Sequence, residues 1–179
     1  TALPLFVWMG EILMRSGLSS SLFHGLSPWV SRLPGGLMHI NVIGCGVMAA
    51  VSGSSAVTAA TVGRMSIPEL KARNYDPHMM VGSLAGAGTL GLLIPPSIIM
   101  IVYGVVAQQS VARLFIAGLI PGLMLIVLFS SYIAIWSLLH PQRAGAAPAR
   151  LPLMDKLRAS RELLPVILLI VAIIGSIYG

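Results

Sequence analysis

The chain has 179 residues, of which 56% are hydrophobic and only 9% are charged. A soluble domain carries about 25% charged residues, and here the apolar residues also come in long blocks, so the composition indicates an integral membrane protein. The net charge of +6 does not indicate nucleic-acid binding, because the basic residues lie between apolar blocks without interleaved aromatics. One cysteine, Cys45, excludes an intrachain disulfide. Since the sequence begins with Thr1 inside an apolar block, we expect a piece of a larger membrane protein.

The alternation of apolar blocks and polar links predicts an all-α, multi-pass membrane fold in which two of the helices are interrupted. In chain order we expect the end of a transmembrane helix (1–17), an amphipathic arm helix in the membrane interface (18–34), a re-entrant hairpin (35–66), a cytoplasmic link (67–77), a discontinuous transmembrane helix (78–108), a transmembrane helix (111–139), a basic cytoplasmic loop (140–162) and the start of a further transmembrane helix (163–179).

The first interruption is the sequence Ser-Gly-Ser-Ser at residues 52–55, called the first break below. At 1.5 Å per residue, neither apolar half beside it reaches the ~30 Å of a bilayer core, and the two together are long for one span. A re-entrant hairpin with its tip at the first break fits these lengths. One continuous helix with a glycine kink is the alternative, because Gly and Ser are common in membrane helices.

The second interruption is the sequence Ile-Pro-Pro-Ser at residues 94–97, called the second break. Pro95 and Pro96 have no N–H, so in a helix they would release the carbonyls of Gly91 and Leu92. Ser97 is placed to cap the helix that resumes after it. A lipid bilayer offers no partners to a freed backbone, so such a stretch is expected only where protein buries it or where it lines a cavity. A plain proline kink is the alternative.

Two consecutive broken helices are typical of the binding site of a secondary transporter. Carbonyls that end one half-helix favour a cation, and the N–H groups that begin the next favour an anion. Ser54, Thr58 and Thr61 follow at i, i+4 and i+7, so their hydroxyls share one helix face. Together these oxygens indicate a site for a Na⁺-like ion, although Thr58 and Thr61 fit close helix packing equally well.

The sequence contains no pattern of residues that indicates an enzyme active site. No His, Cys, Asp and Glu group has the spacing of a metal site, and no serine has an evident base, so we expect no catalytic residues, no transition metal and no cofactor. Gly82 and Gly86 form a G-x-x-x-G pattern, to which we assign close helix packing.

The distribution of basic residues predicts the topology. With a re-entrant hairpin, ten of the eleven Lys and Arg residues fall on one side and only Arg113 on the other, which marks the crowded side as cytoplasmic. If the hairpin were one span, Arg15 and Arg32 would move across and the division would be eight to three. The ten are Arg15, Arg32, Arg64, Lys71, Arg73, Arg143, Arg150, Lys156, Arg158 and Arg161.

Five stretches of the sequence resemble the large membrane subunit of TRAP (tripartite ATP-independent periplasmic) transporters, the DctM-like family. They are AAVSGSSAVTAAT (49–61), GTLGLLIPPSI (88–98), RMSIPE (64–69), RLPGG (32–36) and LFIAGLIPG (114–122). The match keeps the order and spacing of the family and covers nearly the whole chain.

The resemblance implies a Na⁺-coupled importer of organic acids such as C4-dicarboxylates or sialic acid, a multi-pass protein of the bacterial inner membrane. It implies a periplasmic substrate-binding protein and a small four-helix membrane subunit as partners, and an elevator-type motion of a domain with two re-entrant hairpins. By motif, Na⁺ would be held by Ser52, Gly53, Ser54, Ser55, Gly91, Pro95 and Ser97. Ser54, Ser55 and Thr58 would face the substrate region, and the second hairpin would lie outside this chain.

Two other functions are left open by the residues. One is a stand-alone elevator-type Na⁺/carboxylate symporter, although its hairpin tips carry Ser-Asn where this chain has Ser-Gly. The other is a passive channel subunit whose pore is lined by the breaks, which would conduct without Na⁺ coupling or a binding protein.

The predicted topology gives a first test in the full-length protein. A cysteine replacing Arg32 should react with a membrane-impermeant thiol reagent only from the cytoplasmic side, because the hairpin returns the chain to the side it left. Arg113→Cys is the control and should react only from the periplasmic side. Labelling of Arg32→Cys from the periplasm would contradict the re-entrant hairpin.

Overall fold

The computed structural model describes residues 25–143, 145, 161–164, 167–168, 171–172 and 175. The expected helix end at 1–17, the first part of the arm at 18–24 and most of the loop at 140–162 lie outside the described residues, as does much of the final segment. Residues 25–30 are helical, and so are the described residues of the final segment from 164 onward.

The elements of the described residues are helices, as expected for an all-α fold. A 3₁₀ turn at Gly36–Met38 leads into the first long helix, and two more 3₁₀ turns lie at Pro141–Arg143 and Arg161–Leu163. The helices are α1 (His39–Ser52), α2 (Ser55–Ala72), α3 (Pro77–Gly88), α4 (Leu90–Leu93), α5 (Ile98–Val106) and α6 (Val111–Leu139).

Helices α1 and α2 fold back on each other as an antiparallel hairpin. A Cβ built on Gly44 of α1 would lie 3.6 Å from Cγ1 of Val62 in α2. In one continuous helix these residues would be separated by about 27 Å, at 1.5 Å for each of 18 steps. The two positions are nearly equidistant from Gly53, so the chain reverses at the first break, and the alternative of a kinked single helix does not describe this structure.

Helix α2 extends further than the sequence indicates, which corrects the expected link at 67–77. The helix continues to Ala72 with Pro68 inside it. Residues 69–72 are good helix formers, and the Arg73 guanidinium pairs with the Glu69 carboxylate at 2.7 Å, one turn apart. Asn74, with φ 58°, ends the helix, because a left-handed residue lets the next N–H groups bond the last carbonyls. The true link is therefore only residues 73–76.

The discontinuous helix of residues 78–108 is present in three pieces. Asp76 starts α3 by accepting hydrogen bonds from the N–H groups of His78 and Met79. Thr89 then separates α3 from α4, because its hydroxyl and its N–H both donate to the carbonyl of Gly86. Thr89 keeps helical φ and ψ, so α3 and α4 follow one course. The real interruption is the second break, where the axis bends by 40° before α5.

The first helix of the hairpin forms the centre of the described part of the molecule. Twelve of the fourteen residues of α1 are buried, whereas only five of the 29 residues of α6 are. Within the described residues, α6 alone is long and apolar enough to cross a membrane, and α3–α5 adds a second candidate if the bent pair counts as one span. Helix α6 lies across α1 at Gly46, where a Cβ would come within 2.8 Å of Ile126.

The base of the hairpin is fixed to the following link and helix by polar contacts. The phenol of Tyr75 accepts a hydrogen bond from the N–H of Leu37 at 3.2 Å. The Asn41 amide donates to the carbonyl of Met80 at 3.2 Å and to the hydroxyl of Ser83 at 2.9 Å. Burial raises the pKa of Tyr75, which outweighs the opposing effect of the Leu37 N–H, so the phenol is neutral near pH 7.

Removing the Tyr75 hydroxyl should therefore weaken the hairpin base. We expect Tyr75→Phe to lower the free energy of unfolding of the full-length protein by about 1–3 kcal/mol, because the Leu37 N–H would be left buried without an acceptor. Tyr103→Phe is the matched control, since Tyr103 is 56% exposed. Denaturation in detergent measures both variants, and equal effects would contradict this role of Tyr75.

Candidate functional site

The two breaks meet in the structure, backbone against backbone. The N–H of Ile98, the first residue of α5, donates a hydrogen bond to the carbonyl of Gly53 at 3.1 Å. A Cβ on Gly91 would lie 2.7 Å from both the carbonyl carbon of Ser54 and the nitrogen of Ser55. A real Cβ could not fit there, so the hairpin tip can come this close only because Gly91 has no side chain. The structure thus places the end of α4 and the start of α5 directly on the hairpin tip.

At the first break the chain reverses in two residues. Gly53 ends α1 in the left-handed region, with φ 60° and ψ 12°, and Ser54 is extended before α2 begins. The Ser52 hydroxyl lies 2.7 Å from the Thr58 hydroxyl, donates to the Ser54 carbonyl at 3.3 Å and accepts from the Ser54 N–H at 3.4 Å. Sequence reasoning missed this hydroxyl pair, because contacts across a chain reversal depend on the angle between the two helices, which residue spacing does not give.

At the second break the chain runs extended between α4 and α5. Ile94 and Ser97 both have extended backbones, and the peptide bond between Pro95 and Pro96 is cis. Ser97 occupies the N-cap position of α5, as expected, but its hydroxyl makes no capping hydrogen bond, which corrects that prediction. The hydroxyl is fully buried, and no described residue supplies it with a partner.

Several backbone groups at the two breaks have no hydrogen-bond partner among the described residues. They include the carbonyls that the sequence predicts to be free, at the end of α1 and before the two prolines, and the first N–H groups of α2. The carbonyls belong to Ala50, Val51, Ser52, Gly91 and Leu92, and the N–H groups to Ser55, Ala56 and Val57. The junction therefore presents acceptors and donors side by side.

Most of the predicted site residues are brought together at this junction. Ser52, Gly53, Ser54, Ser55 and Gly91 lie in the contacts described above, Pro95 lies within the second break, and Ser97 directly precedes Ile98. Ser54 and Ser55 are partly exposed, in keeping with access to a solute.

Thr58 does not fit the substrate-facing role that the resemblance implies. Its side chain is fully buried and its hydroxyl is engaged by Ser52. Thr61, one turn further along α2, is also buried, and its hydroxyl has no partner among the described residues. These two positions share a helix face as predicted, but that face is turned into the protein.

Helix α6 covers the second break through two of its glycines. A Cβ on Gly118 would lie 2.6 Å from the carbonyl oxygen of Leu93, and one on Gly122 would lie 2.9 Å from Cγ1 of Ile94. On this side the irregular backbone of the second break is covered by α6, and cover of this kind is what such backbone needs at membrane depth.

A separate cavity of about 700 Å³ lies between α3 and α6, away from the two breaks. Gly82 and Gly86 lie on its wall, and a Cβ on Gly82 would meet no described atom within 4 Å. The close packing expected at this G-x-x-x-G pattern is therefore found at Gly86, against Phe129, and not at Gly82 among the described residues.

The fold and the junction define a class of protein: a helical membrane protein whose two broken helices meet at their breaks, as in secondary transporters. The model of the family described as "Tripartite ATP-independent periplasmic transporter, DctM component" matches residues 1–179. The chain belongs to this family, the large permease subunits of TRAP transporters.

Individual relatives agree with this assignment. The chain is 37% identical over 178 residues to a C4-dicarboxylate TRAP transporter large permease protein of Pseudomonas aeruginosa, covering 99% of this chain and 41% of that protein. It is 34% identical over 180 residues to an ectoine/5-hydroxyectoine TRAP transporter large permease protein of Ruegeria pomeroyi, with 99% and 41% covered. An isethionate TRAP transporter permease protein of Oleidesulfovibrio alaskensis is 37% identical over 123 residues, 69% of this chain and 19% of that protein. The chain thus spans about two fifths of the first two relatives.

The contact at Gly91 predicts a sharp difference between two glycines of the broken helix. We expect Gly91→Ala to destabilise the full-length permease by about 1–3 kcal/mol, because the new methyl group would have to push the backbone of the hairpin tip aside. Gly82→Ala is the control, since no atom of the described part of the chain lies within 4 Å of its Cβ position and alanine favours the helix. Thermal unfolding in detergent compares them, and an unaffected Gly91→Ala would contradict the contact.

Proposed function

We propose that this chain forms half of the transport site of a Na⁺-coupled permease that imports organic acids. The observation that carries the proposal is the junction of the two breaks, where unpartnered carbonyls and N–H groups lie together. The shared membership of the family supports a permease subunit. The coupling ion, the substrate class and the partners are our own inferences.

The cation would be held by neutral groups. The helix α1 contains no Asp or Glu, and neither break does. The C-terminus of a helix carries roughly −0.5 elementary charge, so α1 and the continuous α3–α4 together offer about one negative charge at their ends. Carbonyl and hydroxyl oxygens of Ser52, Gly53, Ser54, Ser55, Gly91, Pro95 and Ser97 would supply the ligands, with Gly53 contributing its backbone beside the bond it accepts from Ile98. A monovalent cation such as Na⁺ matches this charge and this ligand type.

The anion would be held by the opposite ends of the neighbouring helices. The N-termini of α2 and α5 each carry roughly +0.5 charge, and the first N–H groups of α2 are without partners among the described residues. Partly exposed Ser54 and Ser55 lie at this end, so a substrate carboxylate would bind here. The negative helix C-termini and the positive helix N-termini carry nearly equal and opposite charges. Na⁺ and a carboxylate bound beside each other would therefore stabilise each other at the junction, which is a physical basis for coupled uptake.

Motion, partners and location complete the proposal. The Ile98–Gly53 hydrogen bond and the Gly91 contact tie the hairpin to the broken helix, so both would move as one body against a scaffold, in the manner of an elevator. The permease would lie in the bacterial inner membrane as a multi-pass protein. It would work with a small four-helix membrane subunit and receive substrate from a periplasmic binding protein. The names of the relatives include chemically different solutes: C4-dicarboxylate, ectoine and isethionate.

The test is uptake by the full-length permease reconstituted in proteoliposomes with its small membrane subunit. We expect labelled organic acid to accumulate only when an inward Na⁺ gradient and the binding protein are both present. Ser54→Leu should abolish this uptake, because its side chain would fill the junction, whereas Ala60→Leu, at an exposed position further along α2 and away from the first N–H groups, should retain most of it.

Other results of this uptake experiment would indicate a different function or a different site. Na⁺-driven uptake without the binding protein would indicate a stand-alone symporter, and passive flux would indicate a channel subunit. Normal uptake by Ser54→Leu would remove the junction as the transport site.

A further inference from the structure

Thr58 has a role that differs from that of a substrate or ion ligand. Its side chain is fully buried, and its hydroxyl shares a 2.7 Å hydrogen bond with the hydroxyl of Ser52, which is only 5% exposed. Unlike Ser52, Thr58 lies inside α2, beyond the break itself, and its one hydrogen bond from the side chain is directed at Ser52. This bond connects the last residue of α1 with the first turn of α2.

The Ser52 hydroxyl extends this connection across the glycine. It donates to the carbonyl of Ser54 at 3.3 Å and accepts from the N–H of Ser54 at 3.4 Å, so the side chain bridges the reversal at Gly53. Gly53 has more conformational freedom than any other residue type would have there, and the tip needs a restraint to keep one geometry. The hydroxyl pair is such a restraint, since it fixes the distance between the two helix ends.

We propose that Thr58 is a positioning residue, which holds Ser52 and so sets the spacing between the free carbonyls at the end of α1 and the free N–H groups at the start of α2. The inference rests on the proposed function, because the groups it positions are those assigned to Na⁺ and the carboxylate. Thr58 touches neither ligand itself. Its loss would loosen the tip, so that Na⁺ binding would have to order it first.

The chain offers a matched control in Thr61. Both threonines lie on α2, both are buried, and they are three residues apart on the same face. The Thr61 hydroxyl has no hydrogen-bond partner among the described residues. Threonine and valine have nearly the same shape, so replacing each threonine with valine removes one hydroxyl and leaves the packing almost unchanged.

The experiment measures Na⁺-dependent uptake by the full-length permease with its small subunit and binding protein, as a function of Na⁺ concentration. For Thr58→Val we expect the Na⁺ concentration at half-maximal uptake to rise about tenfold, the order expected for a lost buried hydrogen bond. Thr58→Ser, which keeps the hydroxyl, should restore the wild-type value, and Thr61→Val should leave it within about twofold. The double variant Ser52→Ala, Thr58→Val should be no worse than the poorer single variant.

The outcomes separate this inference from the function on which it rests. If wild-type uptake shows no Na⁺ dependence, the proposed function fails. If the wild type depends on Na⁺ but Thr58→Val lowers only the maximal rate or the thermal stability, Thr58 is merely structural and the positioning role is wrong. Equal shifts for Thr58→Val and Thr61→Val would overturn it too. Should Thr58→Val not assemble, Thr58→Ala and Thr61→Ala, compared in the same way, decide between the two roles.

Discussion

The backbone hydrogen bonds that a membrane cannot replace are the constraint on which this structure depends. Two helices are interrupted in succession, and each interruption leaves carbonyls and N–H groups without helical partners. The protein meets part of this cost by setting the two breaks against each other, so that the Ile98 N–H donates to the Gly53 carbonyl. Gly91 makes the approach possible, because any side chain there would strike the backbone of residues 54 and 55. What remains unpaired is concentrated at one junction.

The helices around this junction differ in how much of their surface is buried by the rest of the described protein. Helix α1 carries the hairpin through the middle of the described part and is buried on nearly all sides. Helix α6 is long and mostly exposed, yet its glycines at 118 and 122 let it lie close over the second break. Small residues thus serve the same purpose at three places: they bring one backbone close enough to another to shield irregular chain from lipid.

The sequence predicts those parts of the fold that are determined by neighbouring residues, and it misses those that depend on contacts between separate parts of the chain. The two breaks and the bounds of α6 are set by prolines, glycines and long apolar runs, and they lie where the sequence indicates. The extension of α2 through Pro68 was missed, because a proline inside a helix usually marks its end, whereas this helix continues to Ala72 and is ended by the left-handed Asn74. The absent cap at Ser97 was missed for a different reason: its φ and ψ suit an N-cap, but the direction of its hydroxyl, which has no partner among the described residues, cannot be read from the sequence.

The same distinction applies to the candidate site. Which carbonyls are freed follows from residue identity alone, since proline has no N–H and glycine permits a left-handed end, and those carbonyls are without partners among the described residues. Which side chains support them does not follow, because contacts across a reversal depend on the angle at which α2 leaves Gly53. The spacing that groups Thr58 and Thr61 on one face cannot say that this face turns inward, where the Thr58 hydroxyl is paired and the Thr61 hydroxyl has no partner among the described residues.

A site built mainly from main-chain groups changes what its side chains do. Carbonyls and N–H groups are the same at every position, so the sequence acts on such a site by shaping the chain. Gly91 acts by having no Cβ, Pro95 and Pro96 by having no N–H, and Ser52 with Thr58 by fixing a reversal that glycine alone would leave loose. Substitutions at these residues should therefore change the geometry of the junction more than its chemistry. By this argument, variants that alter affinity for an ion at the junction need not remove any of its ligands.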